Sequence, residues 1–180
     1  MAAPEKPLVY LILGAAGSGR RAVLADLLED GLVAGDRPAV MLAASEAASE
    51  ADAKLPALTR WSWTDGVIAG ELPRDATHTF FISEGRENPV EQIEVFVAWL
   101  EAQGGQIARV LTVVNCQLAE RNPALLPWYE ACIHFSDIIF VRQSGILIYG
   151  IWLEKGRDGI IGRVCQIYLS DKTKFTSHNS

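Results

Sequence analysis

The sequence has few residues that bind transition metals or form disulfide frameworks. It contains three cysteines, Cys116, Cys132 and Cys165, and three histidines among 180 residues. The cysteines are odd in number and lie far apart without a CxxC spacing, which indicates neither a zinc site nor a disulfide scaffold. We therefore expect free thiols, no metal site and a reducing, cytoplasmic location.

Basic residues and long apolar runs are also scarce. Sixteen Lys and Arg against 22 Asp and Glu give a net charge of −6, which disfavours nucleic-acid binding. The longest apolar run begins at Leu8 and has ended by Gly14, far short of the ~20 residues of a transmembrane helix. Glu5 and the patterned helix that follows disfavour a signal peptide. We expect neither a nucleic acid nor a membrane as partner.

Apolar residues are abundant, at 49% of the chain, so the sequence can form one domain with a sizeable core. Short apolar runs alternate with amphipathic segments, which predicts an α/β three-layer sandwich with a mainly parallel sheet. The predicted strands cover residues 8–13, 38–43, 78–83, 107–114 and 138–141. Helices are predicted after Gly19, Asn88 and Asn122. Residues 45–54 are weakly patterned and fit a mobile loop or a surface helix.

A glycine-rich loop joins the first predicted strand to the first predicted helix. Residues 14–21 read Gly-Ala-Ala-Gly-Ser-Gly-Arg-Arg, with the glycine spacing of the phosphate-binding P-loop. In that motif the backbone N–H groups and the helix N-terminus face phosphate oxygens. The candidate phosphate- or anion-binding residues are Gly14, Gly17, Ser18, Gly19, Arg20 and Arg21.

Two chemical groups of the standard P-loop are replaced. Arg20 stands where a lysine reaches the outer phosphates, and Arg21 stands where a Ser or Thr hydroxyl binds Mg²⁺. A guanidinium has no free lone pair for a metal, so Arg21 cannot take that role. A standard Mg²⁺-dependent hydrolysis mechanism is then hard to assemble.

Two arginines at the start of a helix oppose the helix dipole and call for a negative partner. That partner is either a bound anion, such as a nucleotide phosphate, sulfate or phosphorylated metabolite, or an internal carboxylate. Glu84 and Asp65 are the candidate pocket acids. A third alternative leaves both side chains in water.

Catalytic candidates near this loop are weak. Glu84 and Glu87 form an acid pair by sequence, but salt bridges to nearby arginines are the better interpretation. Ser18 has no histidine near it in sequence to activate it as a nucleophile. We therefore predict no catalytic residue.

Several landmarks together resemble the CobW-type GTPases, relatives of the nickel-handling GTPases of urease and hydrogenase maturation. The loop at residues 13–21 resembles their P-loop, and residues 80–89, with Gly85 and Pro89, are similar to the next landmark. Residues 111–115 and 135–139 resemble the two later strand approaches. The guanine-reading motif would fall on Arg142, Gln143 and Gly145. The resemblance covers about residues 7–145 and implies a P-loop NTPase-like fold.

The departures from this family are systematic. Besides the two arginines, Ile82 replaces the acid at a strand end, Asn115 replaces an aspartate, and Gly145 has no side chain to accept hydrogen bonds from a base. The family's Cys-x-Cys-Cys metal motif has no counterpart around Trp61 and Trp63. The resemblance therefore implies a catalytically degenerate, GTPase-like binding or assembly module. The alternative is an active or nucleotide-binding CobW-like GTPase or ATPase linked to metal delivery, with GTP or ATP bound without standard Mg²⁺ ligation.

The pattern changes after Arg142. Residues 146–153 and 163–169 are strand-like, which predicts a C-terminal hairpin on the sheet edge or on a partner. We divide the chain into a P-loop NTPase-like domain at 1–145, the hairpin at 146–170 and a flexible tail at 171–180. Because an exposed hairpin edge can pair with another strand, we expect a homodimer or another protein partner there. Trp61 and Trp63 alternate on a short strand, which fits core packing or partner binding.

Overall fold

The structure, a computed structural model, describes residues 5–143 and the backbone of residues 146–152. Strands and helices alternate along this part of the chain. The strands are β1 Leu8–Leu13, β2 Pro38–Ala43, β3 Thr59–Thr64, β4 Val67–Ala69, β5 His78–Ile82, β6 Gln106–Asn115, β7 Ile138–Gln143 and β8 Ile146–Trp152. The α-helices are α1 Arg20–Gly31, α2 Pro89–Ala102, α3 Cys116–Arg121 and α4 Leu125–His134, and a 3₁₀ helix spans Glu50–Lys54.

The strands form one sheet of mainly parallel strands. Their order is β4-β3-β2-β5-β1-β6-β7-β8. The six inner strands pair in parallel, and β4 and β8 pair antiparallel at the two edges. The carboxyl ends of the parallel strands share one edge of the sheet, so the loops after β1, β2 and β5 gather there.

Helices cover both faces of the sheet and give the three layers that the sequence predicts. On one face, α1 packs an apolar stripe on the sheet through Val23, Leu24 and Leu28. On the other face, α2 packs through Ile93, Phe96 and Leu100, and α4 packs beside it through Tyr129 and Ile133. The α/β sandwich prediction is confirmed.

An aromatic cluster fixes the position of β5. The Phe81 ring lies 4.5 Å from the Trp61 ring and 4.7 Å from the Phe96 ring, measured between centroids. The Trp61 indole also donates a hydrogen bond to the Ile82 carbonyl over 3.1 Å. Trp63 is partly buried against the same core. Trp61 and Trp63 therefore both lie on the face of β3 that packs against the core, since residues two positions apart on a strand share a face.

The sequence pattern did not predict one of the helices, α3. The six residues of α3 begin directly after β6, and the Asn115 side chain accepts a hydrogen bond from the Leu118 N–H over 3.1 Å at its start. A segment this short makes fewer than two turns, so no apolar periodicity can mark it. In contrast, Asn88 caps α2 as predicted, accepting from the N–H groups of Val90 and Glu91.

The C-terminal part of the predicted hairpin is only partly described. Strand β8 extends the sheet by pairing antiparallel with β7, with Ile139 opposite Ile151. The predicted second strand at 163–169 and the tail at 171–180 lie outside the described residues, as do Gly145 and Cys165.

Among the described helices, none is long and apolar enough to cross a membrane. Cys116 and Cys132 are both buried. Within residues 5–143, no cluster of three or more His, Cys, Asp or Glu side chains could hold a metal ion.

Candidate functional site

The glycine-rich loop lies at the centre of the sheet edge. It joins β1, which has β5 on one side and β6 on the other, to the start of α1. Gly17 and Gly19 have φ angles of 82° and 88°. These angles lie in the left-handed region, which residues other than glycine disfavour. The local backbone therefore explains the glycine spacing seen in the sequence.

Arg20 turns its side chain into the protein. Only 4% of the residue is exposed. Its guanidinium donates to the Ser83 carbonyl, which follows β5, and to a carboxylate oxygen of Glu46. The cation at the P-loop lysine position is thus paired internally.

Arg21 joins the same network from the first turn of α1. Its guanidinium donates to Asp52 over 2.7 Å and to the second carboxylate oxygen of Glu46 over 3.0 Å. Arg60 on β3 lies 3.3 Å from the other Asp52 oxygen. Three arginines and two carboxylates therefore form one continuous chain of ion pairs beside the loop.

These contacts correct the acids expected from the sequence. Glu46 and Asp52, not Glu84 and Asp65, hold the two arginines. Both acids come from the weakly patterned residues 45–54, and only tertiary packing places that segment over α1. A local signal does exist: Ser49 and Asp52 have capping-box spacing, and they cap the 3₁₀ helix in that way.

Glu84 holds the loop that follows β5. Its buried carboxylate accepts from the N–H groups of Arg86 over 2.7 Å and Glu87 over 3.0 Å, and from the Ser45 hydroxyl over 3.2 Å. The Arg86 guanidinium lies 3.5 Å away, so the salt-bridge interpretation holds for this acid. Asp65 is exposed in the turn between β3 and β4.

The loop after β5 closes over the glycine-rich loop. The Ala16 N–H donates to the Gly85 carbonyl over 2.9 Å. A Cβ on Gly85 would lie 2.4 Å from the Ala16 nitrogen and 2.8 Å from the Arg20 guanidinium. The two loops are therefore in backbone contact, and one amide of the glycine-rich loop is already engaged by the protein itself.

The end of β7 also reaches this site. Arg142, at the end of β7, donates from its guanidinium to the Gly19 carbonyl over 3.2 Å. Gln143 is the next residue and ends β7. The structure thus brings Arg142 to the candidate phosphate loop, a contact that the sequence analysis did not predict.

The side chains that are buried behind the glycine-rich loop stay un-ionised. Ser18 and Tyr129 are fully buried, and burial raises the pKa of Tyr129 to about 12. Burial also raises the pKa of the Cys132 thiol. The Tyr129 hydroxyl and the Cys132 thiol therefore stay protonated near neutral pH.

A small cleft opens beside the ion pairs. Its volume is about 280 Å³, slightly below the roughly 300–1,000 Å³ of pockets for drug-sized ligands. Such a cleft suits phosphate groups better than a whole nucleotide. Its lining includes Gly17, Gly19, Arg20, Arg21, Glu46 and Ser49.

The ion-pair network predicts loss of stability in acid. Burial raises the pKa of Glu46, but the charges and hydrogen bonds of Arg20 and Arg21 outweigh it and leave that pKa lowered. Burial raises the pKa of Asp52 as well. Its interactions with Arg21, Ser49 and Arg60 outweigh burial and leave that pKa lowered. A carboxylate whose pKa is lower in the folded state than in the unfolded state stabilises the fold at pH values above its unfolded-state pKa. This stabilisation is lost as the pH falls through the folded-state pKa.

We therefore expect the free energy of unfolding to lose this contribution from about pH 4 downward, where unfolded carboxyl groups titrate. Urea titrations at several pH values measure it. The double variant Glu46→Gln, Asp52→Asn should show a shallower fall in the same range. Equal slopes for wild type and variant would contradict the assignment.

Comparisons with known proteins bear on the fold. No protein-family model matches the sequence, and no curated protein matches it. The signal recognition particle receptor FtsY from Elizabethkingia anophelis, solved in complex with GDP, aligns with a TM-score of 0.50 and 16% identity over 78% of this chain and 50% of that chain. The Zn(II)-bound YjiA GTPase from E. coli aligns with a TM-score of 0.46 and 14% identity over 76% and 49% of the two chains.

This chain spans about half the length of the solved chains that it matches. The FtsY alignment covers 78% of this chain, and in this chain the glycine-rich loop follows β1 at the centre of the sheet. With the strand order and the position of that loop, it shows that this chain has an α/β fold of the P-loop NTPase type, similar to that of GTPases.

Proposed function

We propose that this chain is a catalytically degenerate, CobW-like member of the P-loop GTPase fold that acts as a binding or assembly module. The observation that carries the proposal is the Arg20–Glu46–Arg21 ion-pair network. It uses internal carboxylates to neutralise the cations at the two positions that serve phosphate and Mg²⁺ in a working P-loop.

The residue at the Mg²⁺-ligand position does not support a hydrolysis mechanism. Arg21 occupies the position of the Mg²⁺-ligating hydroxyl, and its guanidinium donates to Asp52 and Glu46. A guanidinium has no lone pair for a metal. A magnesium nucleotide would therefore have to bind beside two guanidinium groups without its usual protein ligand.

The groups that would bind phosphate are already engaged by other protein groups. To reach an outer phosphate, Arg20 would have to give up its bonds to Glu46 and to the Ser83 carbonyl. The Gly85 carbonyl already takes the Ala16 N–H. Buried charges and backbone groups that lose their partners cost free energy, so the closed arrangement disfavours nucleotide entry.

Turnover of GTP and ATP is the direct test. We expect phosphate release in the presence of Mg²⁺ to stay at the level of a buffer blank. The control is the variant Arg20→Ala, prepared in the same way. Turnover above background that this variant abolishes would overturn the proposal and establish the alternative, a working NTPase with arginine chemistry.

The partner is proposed to be a protein. The C-terminal hairpin remains our proposed contact, because β8 adds an antiparallel edge strand to the sheet and strand edges can pair with another chain. Homodimerisation is measured by light scattering at high protein concentration. A mass of one chain would contradict it and leave a different protein as the partner. The buried free thiol of Cys132 fits the cytoplasmic location that we propose.

A further inference from the structure

Glu46 is placed as a bound anion would be. Its two carboxylate oxygens contact different arginines, one Arg20 and the other Arg21. Both arginines belong to the first turn of α1, where the helix dipole also favours negative charge. One carboxylate thus bridges two guanidinium groups beside the glycine-rich loop.

The charges around Glu46 are nearly balanced only while it is present. The network contains three guanidinium groups, on Arg20, Arg21 and Arg60, and two carboxylates, on Glu46 and Asp52. Without the Glu46 carboxylate, Asp52 would be the single acid facing three cations in this network. Each guanidinium presents several N–H donors that suit carboxylate and phosphate oxygens.

A further polar group of the loop lies unused beside Arg20. The Ser18 hydroxyl is fully buried and lies beside the Tyr129 hydroxyl, but no hydrogen bond of good geometry engages it among the described residues. It points to the side of Gly14 that the Arg20 side chain also covers, since a Cβ on Gly14 would lie 2.7 Å from the hydroxyl oxygen and 3.0 Å from Arg20 Cδ. Buried polar groups are nearly always paired, so this hydroxyl marks unfilled hydrogen-bonding capacity in the loop.

The segment that carries Glu46 has few apolar anchors. Leu55 is its only buried residue between positions 44 and 58, and residues 47–50 are exposed. Polar contacts of the segment include the ion pairs, a hydrogen bond from the Ser45 hydroxyl to Glu84 over 3.2 Å, one from the Ala44 N–H to the Trp61 carbonyl over 2.7 Å and one from Arg60 to the Glu46 carbonyl over 2.8 Å. Segments with little apolar burial open locally at low free-energy cost.

We propose that Glu46 is an autoinhibitory anion: it holds the site closed, and its departure lets Arg20 and Arg21 bind a diphosphate group without Mg²⁺. The guanidinium groups neutralise the charge that a metal ion neutralises in a standard P-loop. The inference rests on the proposed function, because it describes binding without hydrolysis. Its ligand class is the diphosphate group, whether inorganic or part of a nucleotide.

The test replaces the blocking carboxylate by its neutral isostere. Calorimetric titration with sodium pyrophosphate in EDTA compares wild type with Glu46→Gln. We expect the variant to bind about tenfold or more tightly than wild type, because binding no longer has to displace an internal anion. The matched control is Glu94→Gln, which removes the same charge from an exposed position on α2 and should behave as wild type.

Two further variants keep the result interpretable. Asp52→Asn releases Arg21 from one of its two acids and should give a smaller gain, which still tests the idea if Glu46→Gln folds poorly. The double variant Arg20→Gln, Glu46→Gln should lose the gain. No gain in either single variant, or a gain that survives the loss of Arg20, would overturn the proposal.

Nucleotides separate the two sources of the ligand. A gain for GDP equal to that for pyrophosphate supports recognition of the diphosphate group alone. A gain for GDP with none for pyrophosphate would overturn it, because the nucleoside would then supply the binding. Neither outcome depends on turnover by the wild-type chain, so failure of this inference is distinguishable from failure of the proposed function.

Discussion

Replacing Arg20 by alanine is expected to lower the free energy of unfolding by about 3 kcal/mol, near the lower end of the range for breaking a buried ion pair. The substitution leaves the Ser83 carbonyl without this donor and Glu46 without its Arg20 partner. The loss stays at the lower end because Glu46 keeps its contact with Arg21. For a chain of this length the melting temperature should fall by about 6–12 °C.

Urea unfolding followed by tryptophan fluorescence measures this change. The matched control is Arg86→Ala, since the Arg86 side chain is 68% exposed and contacts a carboxylate, that of Glu84, over 3.5 Å. An exposed ion pair contributes about 0–1 kcal/mol, so this variant should stay close to wild type. Equal effects of the two substitutions would show that Arg20 is not held in its buried ion pair in solution.

Replacing Phe81 by alanine is expected to destabilise the chain by about 3–5 kcal/mol, the usual cost of removing a buried phenyl ring. Phe81 is 1% exposed and contacts the rings of Trp61, Phe96 and Trp99. The space left behind cannot collapse easily, because rigid aromatic side chains on β3 and α2 surround it.

The consequence reaches the site because β5 leads into the loop that contacts Arg20 and Ala16. Near-ultraviolet circular dichroism and urea unfolding together report the loss of the aromatic cluster and of stability. Phe135→Ala is the control, since Phe135 is 39% exposed and should cost less than about 1 kcal/mol. A Phe81→Ala variant as stable as this control would contradict the described packing of β5.

The position of the site could be predicted from the sequence because local signals mark it. An apolar run, closely spaced glycines and an amphipathic helix follow one another at residues 8–31, and each has a short-range physical cause. Parallel strands align their carboxyl ends, so the loop after β1 and the loop after β5 were expected at the same edge. Their contact through Ala16 and Gly85 fits that expectation.

The partners of the arginines could not be predicted in the same way. Sequence proximity to known landmarks favoured Glu84 and Asp65, but Glu84 is used to cap the turn at Arg86 and Glu87. Glu46 and Asp52 lie about 25 and 31 residues from Arg21 along the chain. Their segment has no apolar periodicity, because it is held chiefly by charge and not by burial of an apolar face.

The amino-acid sequence by itself determined the alternation of strands and helices, the glycine-rich turn and the presence of a guanidinium instead of a hydroxyl at position 21. These features depend on backbone preference, apolar period and the atoms that a side chain contains. Only the tertiary structure decided where the two arginine charges are neutralised. Ion pairing depends on distances across the fold, and those distances exist only once β2, the 3₁₀ helix and α1 have packed together.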